Sequence, residues 1–216
     1  MPAFELTTYD PDEDNLREPT MVPLAEWLAA HRKGEALFEP DVYEGIGLRF
    51  FDGSAQYQEE CFGDARSLAH NLRAAAARLA EGRLALLRTA LLDVGSYVFV
   101  VPDGDAVQLV SVSERPPGGD AYPYVPNKQN DGERAIRAVY AWAEAKAAAF
   151  LAPTDNPHFD RASGKELILD RAELVACFRA AAQLSWETAQ AIGVCPLPAE
   201  GAWTPIGAGH VRTQPA

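Results

Sequence analysis

The chain has 216 residues, 48% of them hydrophobic, and 31 Asp/Glu against 19 Lys/Arg give it a formal charge of −12. A chain of this length fits one large domain or two small ones and can bury roughly 70% of the surface its unfolded form exposes, so it needs no metal or disulfide staple. Its acidity argues against direct contact with nucleic acid or an anionic membrane, and no run of about 18 uninterrupted apolar residues is present to cross a bilayer.

Phe4 to Tyr9 alternates apolar and polar residues and predicts a strand, followed by an acidic, Pro-bounded loop from Asp10 to Pro19. Pro23 and Gly34 frame a short helix over Leu24–Lys33, with Leu24, Trp27, Leu28 and His31 on its inner face. Ile46–Phe51, Asp52-Gly53 and Ala55–Phe62 spell a β-hairpin, because Asp-Gly suits the positive φ values of a tight turn. Asp64 caps a helix that runs to Glu81 and stops at Gly82; Leu68, Leu72, Ala75 and Leu79 form its stripe, with Arg66, Arg73 and Arg78 turned away. Leu84–Leu92 reads as a buried strand. Ser96–Val101 and Ala106–Ser113 form a second, Val-rich hairpin around Pro102-Asp103-Gly104-Asp105.

Residues 116–132, with three glycines and four prolines, read as a long irregular connection. A helix follows from Gly132 to Leu151, with Ile136, Val139, Tyr140, Ala143, Ala147 and Phe150 as its stripe, then a loop over 152–165. Asp170 with Glu173 predicts the start of a last helix, lined by Leu174, Cys177, Phe178, Ala181, Leu184 and Ile192 and ended by Gly193. Residues 194–216 read as a Pro/Gly-rich tail. The expected architecture is one α+β domain over 1–193, sheet-rich in 1–113 and helical in 132–193. Its mostly antiparallel sheet has about five to six strands, with about four helices on one face.

The N-terminus Met1-Pro2-Ala3-Phe4-Glu5 has neither a basic nor an apolar leader region, which predicts a chain without a signal peptide. Cys61, Cys177 and Cys195 are odd in number and form no Cys-x-x-Cys pair. They predict a reducing, cytoplasmic setting, with Cys61 and Cys177 as small interior hydrophobes. No nucleotide-binding glycine loop, nucleophile elbow or His-Glu-x-x-His zinc motif is present, and no cofactor or metal is expected. The spacing Asp10-Pro11-Asp12-Glu13-Asp14 begins like a calcium loop, but Asn15 and Met21 stand where such a loop needs Gly and a bidentate Glu. Glu59 and Glu60 beside Cys61 would suppress its thiolate. His158 between Asp155 and Asp160 is the one constellation that could support acid–base chemistry, as in a small hydrolase.

The charge is unevenly spread. Residues 1–64 hold 15 Asp/Glu and 4 Lys/Arg, a balance of −11, while residues 65–216 hold 16 and 15, a balance of −1. The acids form two clusters: Asp10, Asp12, Glu13, Asp14 and Glu18, then Glu35, Glu39, Asp41, Glu44, Asp52, Glu59, Glu60 and Asp64. Concentrated like charge opposes compactness and attracts a basic partner, so these residues are the expected partner-binding surface. Tyr122 and Tyr124, set between prolines, are candidate anchors. An acidic nucleic-acid mimic acting on a DNA-binding protein is the alternative use of the same charge.

A small acidic α+β chain without a catalytic motif, rich in alanine and with 15 Arg to 4 Lys as in GC-rich bacterial genomes, resembles the immunity proteins of bacterial toxin systems in overall character. The resemblance implies a non-catalytic protein that covers the active site of a cognate toxin. An acidic surface would suit a toxin whose own site is basic.

Overall fold

The computed structural model describes residues 3–9, 21–36, 38, 40, 46–52, 55–59, 65–87, 97–112, 129–151, 159–161 and 167–193. Among them, four helices and two antiparallel sheets make an α+β fold. The first sheet holds β1 (Phe4–Thr8), β2 (Val22–Pro23), β3 (Ile46–Asp52) and β4 (Ala55–Glu59) in the order β2-β1-β3-β4. The second holds β5 (Ala85–Leu87), β6 (Tyr97–Asp103), β7 (Ala106–Val112), β8 (Phe159–Arg161) and β9 (Ile168–Asp170). Its order is β5-β6-β7, with β8 and β9 both on the far side of β7.

The strand chemistry separates the two sheets. In β3, Ile46, Leu48 and Phe50 are buried in the main core, whereas Arg49 on the opposite face pairs with Glu5 of β1 at 2.9 Å. That alternation marks a strand with one apolar face. In β6, Val98 and Val100 enter the main core while Phe99 and Val101 enter a second one, so a continuous apolar run serves two buried faces. Each sheet contains a hairpin closed by Asp-Gly-x-Ala. Asp103 pairs with Ala106, leaving Gly104-Asp105 as the turn, and Gly104 takes φ +61°, a conformation that favours glycine. In the first hairpin Asp52 pairs with Ala55, so both aspartates end strands and do not occupy the turn.

Four helices fill the remaining layers: α1 (Leu24–Lys33), α2 (Ala65–Ala80), α3 (Gln129–Leu151) and α4 (Arg171–Ala191). The main core joins the inner faces of both sheets to α1, α2 and α4. Its centre is aromatic: Phe178 of α4 meets Phe4 edge-on at 4.9 Å and Phe50 at 6.2 Å. The stripe Leu68, Leu72, Ala75 and Leu79 of α2 is buried there. Gly82 stops α2 with φ +72°, and the N–H of Arg83 donates back to the carbonyl of Arg78 at 2.9 Å. Asp170 caps α4, its carboxylate accepting from the N–H of Glu173 at 2.7 Å. The second core is smaller and lies between the other face of the second sheet and α3, where Phe99 stacks on Phe150 at 5.4 Å with Trp142 alongside.

Three sequence expectations are corrected. The nine described strands form two sheets instead of one, because apolar strands in residues 97–112 bury both faces and need a layer on each side. Residues 159–161 and 168–170, expected outside the sheet, pair with β7 as short strands that sequence pattern alone hardly marks. The helix expected to start at Gly132 begins at Gln129, within the expected loop. Thr7 and Thr8 of β1 are fully buried. Arg78, on the side of α2 away from the stripe, is covered by α3.

Candidate partner-binding surface

The registers of the first sheet decide where its acidic connections attach. Thr8, at the end of β1, pairs with Val22 at the start of β2 and with Ile46 at the start of β3. Leu48, two residues into β3, pairs with Glu59 at the end of β4. Four strand termini therefore share one end of this sheet. The segment carrying Asp10, Asp12, Glu13, Asp14 and Glu18 leaves and returns there, between Tyr9 and Met21. The segment with Asp41 and Glu44 enters there at Ile46, and the chain leaves there from Glu59 toward Glu60 and Asp64. Asp52 does not share this end. It closes the β3–β4 hairpin at the other, four residues of strand away from Glu59 along β4, or about 14 Å at the usual strand rise. The second acidic cluster is thus split by the fold.

Of the sequence-predicted contact residues, Asp52 and Glu59 lie in strands, at opposite ends of the hairpin. Asp10, Asp12, Glu13, Asp14, Glu39, Asp41, Glu44, Glu60, Tyr122 and Tyr124 lie outside the described residues. Two of the four bases in this third of the chain are engaged elsewhere. Arg49 pairs with Glu5 across the outer face of the sheet. Arg32 reaches from α1 to Glu187 of α4 at 2.6 Å, and Gln183 donates to the same carboxylate at 2.9 Å. These hydrogen bonds, Gln183 first and Arg32 next, hold the Glu187 carboxyl below its ordinary range against the opposing effect of burial.

The expected acid–base trio is not brought together by described side chains: Asp160 sits in β8 opposite Ser111, and Asp155 and His158 lie outside the described residues. Cys61 and Cys195 also lie outside them. Cys177 is a free, half-buried thiol packed against the main core. Burial raises its pKa and the Glu173 charge adds to this, outweighing backbone hydrogen bonds from Ala3 and Phe4. That is the opposite of an activated nucleophile. His31 stacks on Trp27 at 4.9 Å and His70 meets Trp186 edge-on at 5.6 Å, so both described histidines have packing roles. Among the described residues no three His, Cys, Asp or Glu side chains gather as metal ligands, and no helix is long and apolar enough to cross a membrane.

The strongest polar cluster has no counterpart in the sequence reading. Arg78 of α2 donates through Nε to the carbonyl of Leu84 at 2.6 Å, pairs with Glu144 of α3, and lies 3.8 Å above the Tyr140 ring. Arg83 reaches the same Glu144 oxygen at 2.9 Å, and the Tyr140 hydroxyl accepts from the N–H of Leu86 at 3.3 Å. Burial pushes the Glu144 carboxyl up, but hydrogen bonds and charge from Arg83 and Arg78 more than offset it and leave its pKa lowered. The cluster clamps α3 to the edge of the second sheet. Its partners are about sixty residues apart in sequence, beyond the reach of any local pattern.

A second feature invisible to sequence patterning is the outer edge of β4. It follows from strand order alone, since β4 ends the path β2-β1-β3-β4 and no described strand pairs with its far side. No protein-family model, curated protein or solved structure matches this chain.

Proposed function

We propose that the chain is a non-catalytic binding protein of the immunity type, which neutralises a basic bacterial toxin by laying an acidic surface over the toxin's active site in the cytoplasm. One observation carries this reading: a charge of −11 in residues 1–64, most of whose acids belong to connections that join the first sheet at the same end. Clustered carboxylates repel one another, and a fold that tethers three acidic segments to one end of a sheet accepts that cost. A cationic partner relieves it. Complementary charge speeds encounter and rejects wrong partners, which an inhibitor of a lethal protein needs. The pairing of Arg32 and Arg49 with Glu187 and Glu5 further supports the reading, because it directs two of the few nearby bases to other carboxylates.

The test is genetic and direct. The protein encoded beside this chain is expressed alone and together with it. The reading expects growth arrest in the first case and rescue in the second, with rescue weakened by replacing Asp12, Asp14, Asp41 and Glu44 with Lys. A neighbouring product that is harmless alone, or rescue that the four replacements leave intact in a folded variant, would contradict it.

A further inference from the structure

The described strands of the two sheets leave four lateral edges, and three of them are blunted. β2 is two residues long and ends in Pro23, which has no N–H to offer. β5 is three residues long. The opposite edge of the second sheet is interrupted: β8 pairs with Val110–Val112 and β9 with Ala106–Gln108, each only three residues long. Short and interrupted edge strands are how sheets avoid pairing with other chains. β4 carries none of these devices. Its five residues, Ala-Gln-Tyr-Gln-Glu, pair in unbroken register with Leu48–Asp52, contain no Pro or Gly, and are uncharged until Glu59. In an antiparallel strand, alternate residues turn both N–H and C=O outward, so β4 offers about two or three such residues to an added strand.

We infer that the outer edge of β4 is where the partner docks, by adding an extended basic segment of its own as a further strand of the first sheet. This rests on the proposed function and specifies its contact. The occupant follows from charge. Glu59 is the last residue of β4, at the end of the sheet where β1 leaves and β3 begins, and Asp52 pairs with Ala55 at the other end. A strand with Arg or Lys near both ends matches these two acidic register positions. A second copy of this chain is the wrong occupant, since pairing β4 with β4 would oppose one −11 region to another. Main-chain pairing supplies affinity in such strand addition, and flanking side chains supply selectivity.

The experiment uses the full chain and two synthetic peptides about ten residues long, long enough to span an average strand. Both alternate arginine and valine. The second carries a methyl group on every amide nitrogen, which keeps its charge and removes its capacity to pair. The inference expects the first peptide to bind at low salt, to slow hydrogen exchange within residues 55–59, and to bind about tenfold or more tighter than the methylated one. Gln56→Pro and Tyr57→Pro are compared as folded variants. Because outward N–H groups alternate, one of the two removes an outward donor, and that variant loses the preference between peptides. Equal binding of both peptides without protection of β4 would overturn edge docking and leave the acidic surface standing. Failure of both peptides to bind would overturn both readings. Dimerisation of the chain through β4 would assign the edge to a second copy and overturn this inference.

Discussion

The two sheets are built alike and covered differently. Each is antiparallel, each is centred on a hairpin closed by Asp-Gly-x-Ala, and each turns one face to the same layer of α2 and α4. The second sheet is also covered on its other face by α3, and both its edges are short or broken. The first sheet has a polar ion pair on its other face, a regular free edge among the described strands, and acidic connections attached at one end. The difference separates a framework from a candidate surface. Among the described residues one sheet is enclosed on both faces, and the other has the end and the edge that the proposed function assigns to a partner.

The largest expected effects come from breaking the two cores in turn. Phe178 is fully buried between Phe4 and Phe50, and Phe178→Ala should destabilise the whole fold by about 3–5 kcal/mol, seen as a lowered denaturant midpoint. Phe150 is as deeply buried but belongs to the small core under α3. Phe150→Ala should act locally: hydrogen exchange should quicken across residues 139–151 while β1 and β3 keep their protection. Equal loss of protection in both sheets would show that the cores are not separable.

A smaller effect is expected at the clamp between α2 and α3. Arg78 is 12% exposed and holds Glu144, the Leu84 carbonyl and the Tyr140 ring together. Arg78→Met should cost about 2 kcal/mol, because it leaves the Leu84 carbonyl without its charged donor and Glu144 with Arg83 alone. Unchanged exchange in α3 would remove the clamp from this account. Glu144 also sets a pH dependence. Its pKa is lowered in the fold, so its ion pairs contribute stability above the ordinary carboxylate value of 4.5, and that contribution is lost as pH falls through the lower, folded value. Glu144→Gln should therefore be less stable than the parent at neutral pH and converge with it on acidification. A constant difference across that range would contradict this assignment. The smallest effect should be at Arg32, 59% exposed, where Arg32→Ala should change stability by no more than about 1 kcal/mol despite its short contact with Glu187.

Much of this fold was legible in the residues. The alternation Ile46, Leu48, Phe50 against Gly47, Arg49, Phe51 gives a strand with one buried face, and the unbroken Val98 to Val101 run gives one buried on two. Pro23, Gly34, Gly82 and the Asp170–Glu173 pair bounded three helices because caps and stops are local chemistry. What escaped was tertiary. Arg78 turns away from the α2 stripe, and only the path of the chain to Glu144 makes that side an interface. β8 and β9 are three residues each, too short to show a period, and exist because β7 presents an edge to them. The candidate surface was half legible. The acids could be counted in the sequence, but the sharing of one sheet end by four strand termini, and the departure of Asp52 from it, came from register.

The central claim is that this acidic end steers a basic partner onto the first sheet. Its most direct test is the association rate with the cognate basic protein across a series of ionic strengths, for the parent chain and for a folded variant with Asp12, Asp14, Asp41 and Glu44 replaced by Lys. The account predicts a rate about tenfold or more lower at low salt for the variant, and a flatter dependence on salt. Equal rates and equal salt dependence in the two proteins would contradict it.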